Sequence, residues 1–170
     1  MNESIEISDQ LLARVRNLAL DLRPSLLDDL GLVPALRWFA TRQAERAGWT
    51  LQLCLDEAPL TLTAPRSIAC FRVVQEAMTN IARHARARSV LFSLSVTLEQ
   101  VRVVVQDDGC GFDEVAMRSR AQQGQSMGLL GMEERVSLVG GSMTIRSTVG
   151  RGTSLSFSVP LTEPQQEAVS

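Results

Sequence analysis

The chain has few of the features that identify membrane, secreted or nucleic-acid-binding proteins. Its only cysteines are Cys54, Cys70 and Cys110, and no two are spaced as C-x-x-C, so neither a disulfide framework nor a zinc site is indicated. No apolar run approaches the roughly 18 residues of a membrane span, and the N-terminus lacks a basic-then-apolar signal pattern. A net charge of −2 gives no indication of nucleic acid as a partner. We expect a cytoplasmic protein.

Two amphipathic helices are predicted before residue 48. Apolar residues recur at helical spacing over Ile5–Leu22, and a second pattern begins after Asp28-Asp29 and ends at about Ala47. Arg23-Pro24 separates the two, and Gly48 is placed to end the second. One interpretation is a local helical hairpin. The other is a dimerisation element that needs a partner helix to cover its apolar stripe.

After Gly48 the hydrophobic period changes and indicates a domain rich in strands. Its elements are predicted as a long helix over 66–85, short helices over 113–120 and 133–139, and strands over 50–55, 89–98, 101–106, 143–147 and 154–159. Only Glu99-Gln100 separates the second and third strands, which indicates a hairpin. We therefore predict an α+β fold over residues 49–160, a two-layer α/β sandwich of about five strands, followed by a disordered tail over 161–170.

An acidic and glycine-rich stretch, Asp107-Asp108-Gly109-Cys110-Gly111-Phe112, follows the apolar run Val101–Val105. The pattern predicts a buried strand that delivers a carboxylate to its tip, where glycines let the backbone approach something a Cβ would exclude. A carboxylate beside bare backbone suits a ligand with an amino group, such as adenine. On this stretch alone, a surface turn is the simpler interpretation, since Asp-Gly is a common turn sequence.

The long helix has an apolar stripe and, nearly opposite, a polar row of Arg72, Glu76, Asn80 and Arg83. A solvated face explains the row. An acid and an amide so aligned could instead hold hydrated Mg²⁺ and phosphates. The basic cluster that ends the helix contains His84, the only histidine; without interleaved aromatic residues it is weak evidence for nucleic acid.

The segment after residue 120 has the composition of a loop over a ligand. Residues 121–126 are polar and typical of a mobile lid. Gly128 and Gly131 then precede the predicted start of a helix at Glu133, a place where backbone N–H groups can bind phosphate.

Four blocks stand in one order: FRVVQEAMTNIARHA at 71–85, DDGCGF at 107–112, GLLGMEERV at 128–136 and GRGT at 150–153. Together they resemble the catalytic ATP-binding domain of two-component sensor histidine kinases, in the gyrase, chaperone, kinase and mismatch-repair ATPase superfamily. The nitrate-sensor and desaturase-sensor subfamily is the most similar. The resemblance covers about 49–160 and implies a Bergerat-type fold with a mixed, mostly antiparallel sheet. Residues 18–32 resemble the second helix of that subfamily's dimerisation and phosphotransfer domain, which would make 1–48 a separate segment.

The resemblance implies a role for each matching residue. Asn80 would ligate Mg²⁺ and Glu76 would lie near the γ-phosphate as a base or water-orienting group. Arg83 and His84 would reach phosphate. The remaining nucleotide-binding positions are Asp107, which would accept from the adenine amino group, and Gly109, Gly111, Gly128, Leu129, Gly131 and Thr153.

The resemblance also implies transfer of the γ-phosphoryl group of Mg·ATP to a histidine, for relay to the receiver domain of a response regulator, in a homodimeric parent protein. Two departures stand out: Ser126 replaces a frequent lid glycine, and the acceptor histidine is missing, since His84 belongs to the nucleotide site. We therefore expect the acceptor on an upstream segment absent from this chain. The isolated chain is expected to bind Mg·ATP or ADP without phosphorylating itself.

Two alternatives stay open at this stage. One is a non-catalytic nucleotide-binding or scaffold module with the same fold. The other is a serine kinase of the anti-sigma-factor type, against which the Leu22-Arg23-Pro24 helix and the form of the third block both argue.

Overall fold

The computed structural model describes residues 25–117 and 127–162. The first predicted helix, residues 118–120 of the helix predicted over 113–120, the lid with Ser126 and the predicted tail from residue 163 onward lie outside these ranges. Leu161, predicted as part of the disordered tail, donates its N–H to the Glu99 carbonyl at 2.8 Å. The helices are α1 (Ser25–Leu30), α2 (Leu32–Ala47), α3 (Ala64–Asn80), which continues as a π-helical turn (Ile81–Ala85), and α4 (Met127–Leu138). The strands are β1 (Thr50–Leu55), β2 (Ser89–Val96), β3 (Gln100–Asp107), β4 (Ser142–Ser147) and β5 (Thr153–Pro160). None of the helices in the described ranges is long and apolar enough to cross a bilayer.

The strands form one sheet in the order β1-β2-β3-β5-β4. β1 pairs with β2 in parallel, and the other neighbours are antiparallel. The alternation predicted from the sequence is clear in β3, where Val101, Val103 and Val105 are buried and Arg102 and Gln106 are exposed. The mixed, mostly antiparallel sheet and the α+β fold class are confirmed.

The helices cover one face of the sheet, with α3 in the middle. Phe71 and Met78 of α3 are buried in the core, and the ring of Phe71 meets Phe39 of α2 edge-on, at 5.6 Å between centroids. The apolar stripe of α2 is therefore covered by α3, so over residues 32–47 the helix that covers it belongs to the chain itself. A role of this segment in dimerisation or as a linker stays a prediction. The core is continuous across Gly48, and the division of the chain near that residue stays a prediction.

Two local predictions need correction. The helix expected from about Asp28 to Ala47 is two helices, because Gly31 (φ 82°) interrupts it. The hairpin between β2 and β3 has a longer connection than Glu99-Gln100, since β2 ends at Val96. The hydroxyl of Thr97 accepts the N–H groups of Glu99 and Gln100 and so replaces ladder bonds at this turn.

Candidate active site

A cavity of about 470 Å³ lies between α3, α4 and the adjoining ends of β3 and β5. It brings together residues from all four sequence blocks. The predicted site residues in its wall are Glu76, Asn80, His84, Asp107, Gly111, Gly128, Leu129 and Thr153. Segments separated by up to about half the chain therefore meet at one concave surface.

Three predicted residues do not line this cavity. Arg83 is exposed on the π-helical turn, Gly109 lies behind the wall, and Gly131 is one turn further along α4 than Gly128. Their contact with a nucleotide stays a prediction. In the described part of the chain a larger cavity, of about 750 Å³, lies against α2 beside Trp38 and Leu60, but it contains none of the predicted residues. We locate the site by its chemical groups, because size alone favours the cavity that lacks them.

Asp107, the last residue of β3, is the carboxylate at the base of the cavity. It is 4% exposed, and its Oδ1 accepts the N–H of Gly109 at 2.8 Å. Burial raises the pKa of Asp107 above its ordinary value, while the N–H groups of Gly109 and Thr153 oppose that rise. A buried carboxylate in a cavity wall gains from a ligand that donates a hydrogen bond to it, since such a donor favours the charged form.

The neighbouring Asp108 is used differently. Its Oδ1 accepts the backbone N–H groups of Arg88 at 2.8 Å and Ser89 at 2.9 Å, and these bonds lower the pKa of the carboxyl group. Asp108 therefore fixes the start of β2, and only Asp107 is presented to the cavity.

The loop after Asp107 is held by backbone contacts. The N–H of Cys110 donates to the carbonyl of Ala85 at 2.7 Å, its thiol donates to the carbonyl of His84 at 3.2 Å, and its own carbonyl accepts the N–H of Gly150 at 2.7 Å. A Cβ on Gly109 would lie 2.7 Å from the Ala85 Cβ and still closer to the Ala85 carbonyl oxygen. The close approach predicted for this glycine is thus to the end of the long helix, and a role toward the base stays a prediction.

Glu76 and Asn80 line the same cavity from α3, one helical turn apart. The amide nitrogen of Asn80 donates to Glu76 Oε1 at 3.4 Å. A Cβ on Gly128 would lie 2.7 Å from that same oxygen, so the glycine lets α4 pass close to the carboxylate. Gly128 and Gly131 were expected before the helix, which is wrong: α4 begins at Met127, and both glycines lie inside it.

An apolar surface completes the wall, and none of its residues was among the predicted site residues. It is formed by Ile81, Val105, Met132, Ile145 and Leu155. These side chains come from alternate strand positions and helix faces. In a sequence, that pattern predicts burial in the core and does not indicate contact with a ligand. A mostly apolar wall with one buried acceptor is typical of a site for a planar base.

Comparison with known proteins identifies the family. Residues 66–163 match the model of histidine kinase-, DNA gyrase B- and HSP90-like ATPases. The chain belongs to this ATPase family. Membership implies that the domain binds ATP and confirms the family resemblance found in the sequence.

Curated relatives of this ATPase domain carry kinase names. The signal transduction histidine-protein kinase/phosphatase DegS of Bacillus subtilis is 37% identical over 143 residues, which are 82% of this chain and 36% of that protein. The oxygen sensor histidine kinase NreB of Staphylococcus carnosus is 34% identical over 157 residues, or 92% of this chain and 44% of that protein. The chain thus spans less than half the length of these relatives.

Solved structures show the same fold. The histidine kinase domain of the Erythrobacter litoralis EL346 blue-light activated histidine kinase superposes with a TM-score of 0.62 at 24% identity. That match covers 74% of this chain and 59% of the solved chain.

Proposed function

We propose that this ATPase domain is the catalytic domain of a sensor histidine kinase and transfers the γ-phosphoryl group of Mg·ATP to a histidine on another segment. The observation that carries the proposal is the composition of one cavity, whose wall contains Asp107 and Thr153 from paired strands and Glu76 and Asn80 from α3. The kinase names of the relatives support it.

Asp107 and Thr153 form the base end in this proposal. The two residues face each other in the register of β3 and β5, and both line the cavity. The ionised carboxylate accepts a hydrogen bond from the 6-amino group of adenine, which a 6-oxo purine cannot donate. The apolar wall packs on the faces of the ring.

Asn80 and Glu76 form the phosphate end. Asn80 fits a magnesium ligand, because its amide nitrogen faces Glu76 and leaves its oxygen for a cation. Mg²⁺ needs only one or two protein oxygens when phosphates and waters complete its shell, although no group of three His, Cys, Asp or Glu side chains suited to a metal occurs among the described residues. When bound, the ion would neutralise charge on the phosphates. Backbone N–H groups in the first turn of a helix have no acceptor within it and favour phosphate nearby, and Gly128 in the first turn of α4 lines the cavity.

Glu76 acts as the base. A nitrogen of the acceptor imidazole attacks the γ-phosphorus, the bond from that phosphorus to the bridging oxygen breaks, and ADP leaves with the electron pair. Glu76 accepts the proton that the imidazole gives up. Positioning and charge neutralisation account for most of the rate in such in-line transfers.

The acceptor is a histidine other than His84, which lies in the cavity wall itself. In this proposal the phosphoryl group then passes to the receiver domain of a response regulator, and the parent protein acts as a homodimer in the cytoplasm. Arg83 and His84 would contact the phosphates from the exposed end of the long helix.

The test supplies the missing acceptor. The purified chain is incubated with labelled ATP and a histidine-bearing helical segment taken from one of the relatives. We expect acid-labile label on the segment and none on the chain, and we expect Glu76→Gln to reduce the transfer rate about 100-fold or more, since a positioned base contributes that much. Binding of Mg·ATP by the variant, measured in parallel, should stay within about 3-fold of wild type.

Two results would count against the proposal. Equal transfer rates for wild type and Glu76→Gln would remove the role given to Glu76. Nucleotide binding without transfer to any supplied histidine would favour a non-catalytic module instead.

A further inference from the structure

Ser147, the last residue of β4, contacts both segments that form the base end, which are the loop after Asp107 and the start of β5. Its hydroxyl accepts the N–H of Phe112 at 2.9 Å and donates to the carbonyl of Gly152 at 3.1 Å. The same oxygen lies 2.9 Å from the hydroxyl oxygen of Thr153. One side chain therefore contacts both the loop that follows Asp107 and the strand that carries Thr153.

The hydrogen count favours one orientation of the Thr153 hydroxyl. A serine hydroxyl has one proton and two lone pairs. Either hydroxyl could donate in the Ser147–Thr153 contact. The arrangement that makes all the bonds at once has Ser147 donating to the Gly152 carbonyl, which can only accept, and accepting from Thr153. In that arrangement the Thr153 oxygen keeps its lone pairs for the cavity that it lines.

This arrangement of hydrogen-bond acceptors matches the amino group of a 6-aminopurine. The amino group has two N–H donors, and Asp107 and Thr153, paired across β3 and β5, present two acceptors. If the Thr153 hydroxyl were free to rotate, its proton could face the amino group and repel it.

A further bond fixes Ser147 itself. β4 is an edge strand, and the backbone N–H of Ser147 donates to the carboxylate of Glu114, in the helical turn 114–117. Asp113 caps this turn through the N–H groups of Val115 and Ala116, at 2.9 and 3.1 Å. Ser147 is thus held from the side opposite to Thr153.

We propose that Ser147 is a positioning residue for nucleotide binding, which orients the Thr153 hydroxyl as a second acceptor for the adenine amino group. The inference rests on the base end of the proposed function and is independent of phosphoryl transfer, so its test measures ADP binding alone.

The matched variants are Ser147→Thr and Ser147→Val, which have nearly equal volume and strand preference and differ in the hydroxyl. In calorimetric titration with ADP, Ser147→Thr should bind within about 3-fold of wild type. Ser147→Val and Ser147→Ala should bind about 10-fold more weakly, because each loses one hydrogen bond to a polar group. Ser142→Ala is the control: it removes a hydroxyl pair to Ser158, at 3.2 Å, from the opposite end of the same two strands. It should bind ADP as wild type does.

A double-mutant cycle separates positioning from general support of the fold. If Ser147 acts through Thr153, then Ser147→Ala combined with Thr153→Val should bind ADP little more weakly than Thr153→Val alone. If the double variant instead loses the product of the two single-variant losses in ADP affinity, the inference is overturned. Equal ADP affinities for Ser147→Thr and Ser147→Val would also overturn it. Failure of the proposed kinase function would leave these ADP affinities unchanged, so the two can be told apart.

Discussion

At the base end of the cavity, Asp107 and Thr153 lie on paired strands, and each has hydrogen-bond partners within the protein. At the phosphate end, Glu76 and Asn80 lie on α3 opposite α4, and the bond between them is long, at 3.4 Å. Strand register fixes the first pair before any ligand arrives. The second pair has polar atoms that phosphate and a cation would satisfy better than the protein does.

The difference suggests a division of labour. In the proposed function, the base end selects the nucleotide with little rearrangement, because bonds within the protein already hold its two acceptors in place. The phosphate end takes its final geometry from the ligand. Variants at the base end should therefore change affinity for any adenine nucleotide, and variants at the phosphate end should change magnesium dependence and transfer.

The largest effect is expected for Asp107→Asn. Replacing the acceptor by a side chain that also carries N–H donors should weaken ADP binding at least about 100-fold, as measured by calorimetry with and without Mg²⁺. Burial raises the pKa of Asp107, so above that pKa the ionised group is held less favourably in the native state than in the unfolded chain. The variant is therefore expected to melt at pH 7 no lower than wild type.

Asp108→Asn is the matched control for that experiment. Asp108 caps the backbone N–H groups of Arg88 and Ser89 rather than facing the cavity. Its substitution should lower the melting temperature and leave ADP affinity nearly unchanged. If Asp107→Asn binds ADP as wild type does, Asp107 does not bind the base and the acidic stretch is only a turn.

A smaller effect, confined to the phosphate end, is expected for Asn80→Ala. Loss of one cation ligand should weaken Mg·ATP binding about 10-fold, while binding measured in EDTA stays as in wild type. Thr79→Ala provides the control, because the Thr79 hydroxyl bonds to the Gln75 carbonyl on the same helix. Equal losses with and without Mg²⁺ would show that Asn80 does not act through the cation.

Gly128→Ala tests the contact between the helices. The added methyl group would lie 2.7 Å from Glu76 Oε1 and should displace that flexible carboxylate, slowing transfer about 10-fold with nucleotide binding changed by less than about 3-fold. Ser137→Ala is the control on the same helix, since Ser137 is exposed and does not line the cavity. It should keep wild-type transfer. Similar transfer rates in both variants would contradict the placement of Glu76.

Much of the fold was predictable because strand residues alternate. Val101, Val103 and Val105 share one face of β3, and this period marks the strand and its buried side without knowledge of its neighbours. The parallel pairing of β1 with β2 is different: it depends on which strands the helices bring together, and no local pattern encodes it.

Residue types and spacing alone left Glu76, Asn80 and Asp107 as part of a solvated helix face and a turn. The family resemblance predicted that they share one site, and the structure brings them to the wall of one cavity. The π-helical turn was not predictable, because it accompanies a contact between Ala85 and Cys110, residues far apart in the sequence. The start of α4 was misplaced since Gly128 is a poor helix former whose absent side chain makes room for Glu76. Ser147 gave no signal, being one of many serines on β4 and β5.

The central claim is that Asp107 binds the adenine base at one end of this cavity. A crystal structure of the chain with ADP and Mg²⁺ tests it most directly. We predict the adenine amino group within hydrogen-bond distance of the Asp107 carboxylate and the diphosphate beside Asn80. A base bound beside Trp38 in the larger cavity, or phosphates at Asp107, would contradict the account.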